Sequence, residues 1–189
     1  MKKTALLVLD LINDIVHLEG KFTATAKFVH EHQVLSHANR VIAFARNKHI
    51  PIIFVRVGFS SNYIECPLNS PVFGKAKEYK ALELDTWGTQ FHEALDIQPH
   101  DTIITKHRIS AFYGTSLEPI LRANQIEHLI ITGVSTDMAV QTTARDAHDR
   151  DYLVTLISDA CGAGSLETHT STIKELAHIG TILPSTKLV

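Results

Sequence analysis

The sequence predicts an α/β protein: one three-layer α/β/α domain over residues 1–189, built on a doubly wound, mainly parallel sheet of five or six strands. Three observations predict it. Short, nearly continuous apolar runs rich in β-branched residues recur along the chain, as strands buried on both faces require. Longer stretches between them carry apolar residues at helical spacing. At 189 residues, 44% of them hydrophobic, the chain can fill one core.

Taken in order, TALLVLDL (4–11) is the first strand. A helix follows over 27–48, with Phe28, Val34, Ala38, Val41, Ile42 and Ala45 on one stripe. PIIFVRV (51–57) is the second strand. Residues 58–90 break the pattern, because Gly58, Pro67, Pro71, Gly74 and Gly88 punctuate a stretch of weak periodicity. This stretch reads as a long excursion of the kind that forms lids or subunit contacts, not as a domain boundary. DTIITK (101–106), HLIIT (128–132) and YLVTLIS (152–158) continue the strands, with helices over 115–124 and 136–150 between them. A helix over 165–178 and IGTIL (179–183), a sixth strand, complete the alternation. Strand, helix, strand in this order gives right-handed crossovers with helices on both faces.

Composition narrows the partners. The net charge is −2 and Lys and Arg are scattered singly, which gives no footprint for nucleic acid or an acidic membrane surface. A small-molecule substrate is expected. Asp10, Asn13 and Asp14 interrupt the first apolar run too early for a signal peptide or a membrane span, so the chain reads as cytoplasmic. Two cysteines, Cys66 and Cys161, imply no disulfide framework. Cys161 reads as a buried structural thiol and Cys66 as a loop thiol. The histidines show no H-E-x-x-H or paired C-x-x-C pattern, so no metal and no cofactor is expected.

In open α/β sheets, ligands sit beyond the carboxyl ends of the strands. The apolar runs deliver Asp10, Arg56, Lys106, Gly133 with Ser135, and Asp159 there. A carboxylate and an ammonium ending two strands can meet over one crevice, each altering the other's titration. Phe59, Trp87 and Phe112 lie near strand ends or in the excursion and are candidates for an apolar pocket wall, or equally for core and subunit contacts.

Asp10 in LLVLDLINDI, Lys106 with SAFYGTSLE (110–118), GVSTDMAVQTTARDA (133–147) and SDACGA (158–163) together resemble the isochorismatase-like, or cysteine hydrolase, superfamily over nearly the whole chain. The resemblance implies the strand order 3-2-1-4-5-6, a cis peptide at Val134–Ser135, and a dimer or tetramer. It implies Asp10 and Lys106 as catalytic residues and places Ala139 where amidohydrolases of the family carry a nucleophilic Cys. The family's isochorismatases also lack that Cys and hydrolyse a vinyl ether without a covalent intermediate. By resemblance Asp10 would then be the acid. The amides of Met138 and Ala139, in a helix's first turn, would face developing negative charge. Arg56 and Lys106 are the candidates for substrate carboxylates, and Ser135 and Met138 complete the expected substrate contacts. Two alternatives stay open: a Cys-type amidohydrolase disabled at position 139, and a non-catalytic binding protein on the same fold.

Overall fold

The computed structural model describes residues 2–188. Its strands are β1 (Thr4–Leu9), β2 (Ile52–Val57), β3 (Thr102–Lys106), β4 (His128–Val134), β5 (Leu153–Gly162) and β6 (Thr181–Leu183). They form one sheet in the order β3-β2-β1-β4-β5-β6, and every pairing is parallel. The helices are α1 (Asn13–Val16), α2 (Ala26–Glu31), α3 (Val34–Asn47), α4 (Ala76–Tyr79), α5 (Leu117–Ala123), α6 (Gln141–His148) and α7 (Leu166–Leu176).

Strand alternation sorts the apolar side chains onto two faces. Leu7, Leu9, Val55 and Ile104 pack against Leu117 and Leu121 of α5 and Ala144 of α6. Leu6, Val8, Ile52 and Phe54 pack against Ala38, Val41 and Ile42 of α3. Each fully buried side chain of this kind contributes about 1.5–3 kcal/mol. The excursion has a small core of its own, in which Phe59, Tyr63, Phe73 and Leu82 meet Ile12 and Val57.

Two elements differ from the sequence reading. The helix expected over 27–48 is two helices, joined at Gln33 in the left-handed region (φ 53°). HEHQ (30–33) offers no apolar residue between Val29 and Val34 to hold a straight axis on the sheet. Strand β5 runs past residue 158 to Gly162, with a register shift against β4 between Ile131 and Gly133. Asp159 therefore lies inside a strand, where its carboxylate accepts from the Ser185 amide (2.7 Å) and hydroxyl (2.9 Å). At Gly133 (φ 119°) a Cβ would sit 2.1 Å from the Leu9 carbonyl oxygen, so only glycine lets β4 approach β1 this closely.

Candidate active site

Asp10 directly follows β1, and Lys106 ends β3, two strands away and so roughly 10 Å across the sheet. Two features join them. In continued alternation Asp10 would share a face with Arg56, but its backbone turns into the left-handed region (φ 53°) and breaks the alternation. Its amide still bonds the Val55 carbonyl (2.8 Å), while one carboxylate oxygen accepts from the Val57 amide at the end of β2 (2.7 Å). The other carboxylate oxygen accepts from Lys106 Nζ at 2.8 Å. Both side chains are buried, with residue exposures of 3% and 1%.

The Lys106 ammonium has three N–H donors. Besides Asp10, it bonds the carbonyls of Arg108 and Ile109, each at 3.0 Å. Its donors are thus engaged within the protein. Burial pushes the Asp10 carboxyl above the ordinary carboxylate range, and Lys106 and the Val57 amide only partly offset this.

The pair borders a cavity of about 170 Å³ that also meets Val134, Ser135, Met138 and Ala139. An engineered apolar cavity of about 150 Å³ takes up benzene, so this space suits a compact group. The peptide Val134–Ser135 is cis. After it the chain makes a π-turn, Thr136–Val140, in which the Val140 amide reaches back to the Ser135 carbonyl (3.1 Å) before α6 begins. Ala139 is buried, and Met138 is half-exposed at the rim. Thr136 Oγ1 lies 2.9 Å from Nδ1 of His169, which ties the turn to α7.

Five residues singled out in the sequence, Asp10, Lys106, Ser135, Met138 and Ala139, meet at this cavity. Four do not. Arg56 pairs in register with Thr105 while Val57 pairs with Lys106, so strand alternation turns Arg56 to the opposite face. There it donates to Thr105 Oγ1 and the Thr89 carbonyl, each at 3.3 Å. Phe59 is wholly buried in the excursion's core. Trp87 lies on the surface, edge-on to His17 with ring centroids 5.0 Å apart. Phe112 packs beneath α5, stacked on Tyr152 at 6.0 Å.

Two finer expectations also change. The Met138 amide is not an unpaired donor, because it bonds the Ser135 carbonyl (3.1 Å). Ser135 sits at the N-cap position without a side-chain cap bond, since its hydroxyl turns to Asp137 Oδ1 (2.5 Å).

The cavity walls were largely missed. Ile15 comes from α1 and Phe22 from the segment after it, and Val72, Phe73 and Leu82 come from the excursion. The long proline- and glycine-punctuated excursion was a usable signal for a wall, but no periodicity identified which of its residues face inward. Asp14 fastens these two walls together: its buried carboxylate accepts from the Leu82 amide (2.6 Å). Asn13 Nδ2 adds a bond to the Trp87 carbonyl (2.9 Å).

Both thiols are packed away from the cavity. Cys161 is 1% exposed and burial pushes its thiol up to about 12. Cys66 is no open loop thiol but is buried under Phe73, with Sγ 3.4 Å from the Phe73 carbonyl. Among the described residues no cluster of three or more His, Cys, Asp or Glu is arranged to hold a metal ion. No described helix is long and apolar enough to cross a membrane.

Comparison with known proteins converges on one family. The Isochorismatase domain model matches residues 4–187. The uncharacterized isochorismatase family protein YecD of Escherichia coli O157:H7 is 35% identical over 176 residues, covering 93% of this chain and 88% of the relative. The ureidoacrylate amidohydrolase RutB of Pseudomonas syringae pv. syringae (strain B728a) is 30% identical over 171 residues, covering 84% and 70%. Among solved structures, an isochorismatase family protein from Desulfovibrio vulgaris subsp. vulgaris str. Hildenborough superposes with a TM-score of 0.85 at 22% identity. That match covers 100% of this chain and 97% of the other.

Proposed function

Because this chain belongs to the isochorismatase family of hydrolases, we propose that it cleaves a small vinyl ether by addition of water, with no covalent intermediate on the protein. The observation that carries this reading is the pairing of a buried carboxyl of raised proton affinity, Asp10, with a bare methyl, Ala139, on the wall of one cavity. In this reading Asp10 is the acid, and Ala139 offers no side-chain nucleophile at the position where the family's Cys hydrolases attack.

In this reading Asp10 gives its proton to the terminal carbon of the C=C bond. The ether-bearing carbon becomes an oxocarbenium, and water adds to it and returns a proton to the Asp10 carboxylate. The resulting hemiketal collapses to an alcohol and a ketone. Lys106 fixes the orientation of Asp10 and stabilises the carboxylate left by the first transfer. A placed general acid contributes roughly 10²–10⁴ in rate.

The walls refine the substrate. The Lys106 donors are taken and Arg56 faces away, so neither is assigned to substrate carboxylates. The substrate proposed is compact and mostly apolar, and carries at most one charge, directed to the rim at Ser135 and Met138. The same reading takes the protein as a cytoplasmic homo-oligomer, for which Ile64 and Leu68 on the excursion, 80% and 64% exposed, offer contact surface.

A second reading rests on the intact Asp10–Lys106 pair beside Ala139, and on a relative named as an amidohydrolase. It takes the chain as a cysteine hydrolase without its thiol. One experiment separates the two: ketone release from a panel of vinyl ethers, isochorismate included, and ammonia release from a panel of amides, with wild type and Ala139→Cys. Our reading expects the wild type to release ketone and to leave amides untouched. Silence on vinyl ethers together with amide cleavage by Ala139→Cys supports the second reading and overturns the first. Ligand binding without turnover in either panel makes the protein a binding module.

A further inference from the structure

We propose that the groove at the N-terminal ends of the strands is a second binding site, which takes a small amphipathic anion: a carboxylate head on an apolar body. The groove lies at the opposite end of the sheet from Asp10. It is bounded by the start of β1, the segment that follows α3 and the residues after β6. Its volume is about 740 Å³, against about 170 Å³ for the candidate active site. That is within the range of pockets that enclose most of a small ligand.

Two properties of its wall define the ligand. The first is an apolar surface: Ile126 and Ile130 are buried at its floor, and Phe44, Leu183 and Leu188 are half-buried at its sides. The second is one sign of charge. Lys2, Lys3, Lys48, His49 and His128 line the groove, and among the described residues no carboxylate does. The chain as a whole carries 20 acidic against 18 Lys and Arg residues, so this segregation does not follow from composition. None of the three lysines makes an ion pair with a described carboxylate. Lys3 Nζ bonds the neutral Gln125 Oε1 (2.9 Å), and Lys48 Nζ lies 6.0 Å from the centroid of the Phe44 ring.

His128 organises the floor. Its ring nitrogens lie 3.1 Å from Thr4 Oγ1 and 2.9 Å from Thr155 Oγ1, so one imidazole bridges β1, β4 and β5. Burial, and then the charge of Lys2, hold it below the ordinary histidine value. The groove's positive potential comes from the lysines. A ligand with an anionic head and an apolar body satisfies both properties. An alcohol of the same body leaves the ammoniums without a counter-charge, and a cation is repelled.

The test titrates the full chain with decanoate and decyltrimethylammonium below their micellar concentrations, and with decan-1-ol below its solubility limit, by calorimetry. Backbone amide shifts map where each binds. Decanoate is expected to bind at least about tenfold more tightly than decan-1-ol, with shifts at Thr4, His128 and Thr155. The cation is expected not to bind. The double substitution Lys2→Glu, Lys48→Glu changes two exposed side chains and is expected to weaken decanoate by about tenfold or more. Absence of decanoate binding, equal binding of decan-1-ol, indifference to the double substitution, or shifts confined to Ser135 and Ala139 overturns the proposal. No turnover is measured, so the outcome is independent of the reaction proposed for Asp10.

Discussion

Lys106 reaches Asp10 at 2.8 Å and spends its remaining donors on the Arg108 and Ile109 carbonyls, each at 3.0 Å. The pair is therefore first a structural fixture, buried between strand ends that lie two strands apart. Removing the ammonium leaves a buried carboxylate with the Val57 amide as its remaining partner. Lys106→Met is expected to cost about 3–5 kcal/mol in urea unfolding, the usual penalty for orphaning one member of a buried pair. The double variant Asp10→Leu, Lys106→Met, which removes both charges, is expected to regain part of that loss. A loss under about 1 kcal/mol for the single variant would mean that the pair is open to water.

Two carboxylates should answer acid in opposite directions. Burial raises the Asp10 pKa above 3.8 in the folded state, so its contribution to stability is full below that value and is lost as pH rises through the raised pKa. Burial also acts on Asp101, but two bonds from Arg46 at 2.9 and 2.7 Å, the bond from the Gln98 amide at 2.7 Å and the Arg46 charge together outweigh it and hold its pKa below 3.8. Its contribution is present above 3.8 and fades as pH falls through the depressed value. Unfolding free energies measured against pH should show wild type gaining on Asp10→Asn with acidification, and its advantage over Asp101→Asn shrinking.

The walls of the cavity depend on Gly88. A Cβ there would stand 2.2 Å from Asp14 Oδ2, the oxygen that receives the Leu82 amide. Gly88→Ala must push that carboxylate aside and should destabilise the protein by about 1–3 kcal/mol, as overpacking does. Chemical denaturation checks this, and an unchanged midpoint would show that the Asp14–Leu82 contact yields at no cost.

Neither native thiol should take part in the chemistry. Burial lifts the Cys161 thiol to about 12, so little thiolate forms near neutrality. In the folded protein Cys161 should resist iodoacetamide at pH 8, and Cys161→Ala should keep its turnover. Rapid alkylation of Cys161 with loss of activity would contradict both statements.

Much of the architecture was legible because its signals are local. The runs at 4–11, 51–57, 101–106 and 128–132 coincide closely with β1 to β4, since a strand covered on both faces needs an unbroken apolar run. The break at Gln33 left only a faint signal, the four polar residues of HEHQ (30–33) that interrupt the apolar stripe between Val29 and Val34. At the site, Asp10 and Lys106 were visible as polar residues ending apolar runs. Arg56 looked equivalent, and only the pairing of Val57 with Lys106 reveals that it faces the other way. Leu82 was hidden for a different reason: its amide is held by Asp14, almost seventy residues earlier in the chain, and no local pattern encodes that contact.

The most direct test of the central claim is kcat/KM for Asp10→Asn against wild type on the vinyl ether that the wild type cleaves best, with folding verified by near-UV circular dichroism. Asparagine keeps the shape and an oxygen for Lys106 but has no transferable carboxyl proton. The account predicts a fall of about 10²–10⁴. Product formation by both proteins within a factor of two would contradict Asp10 as the proton donor.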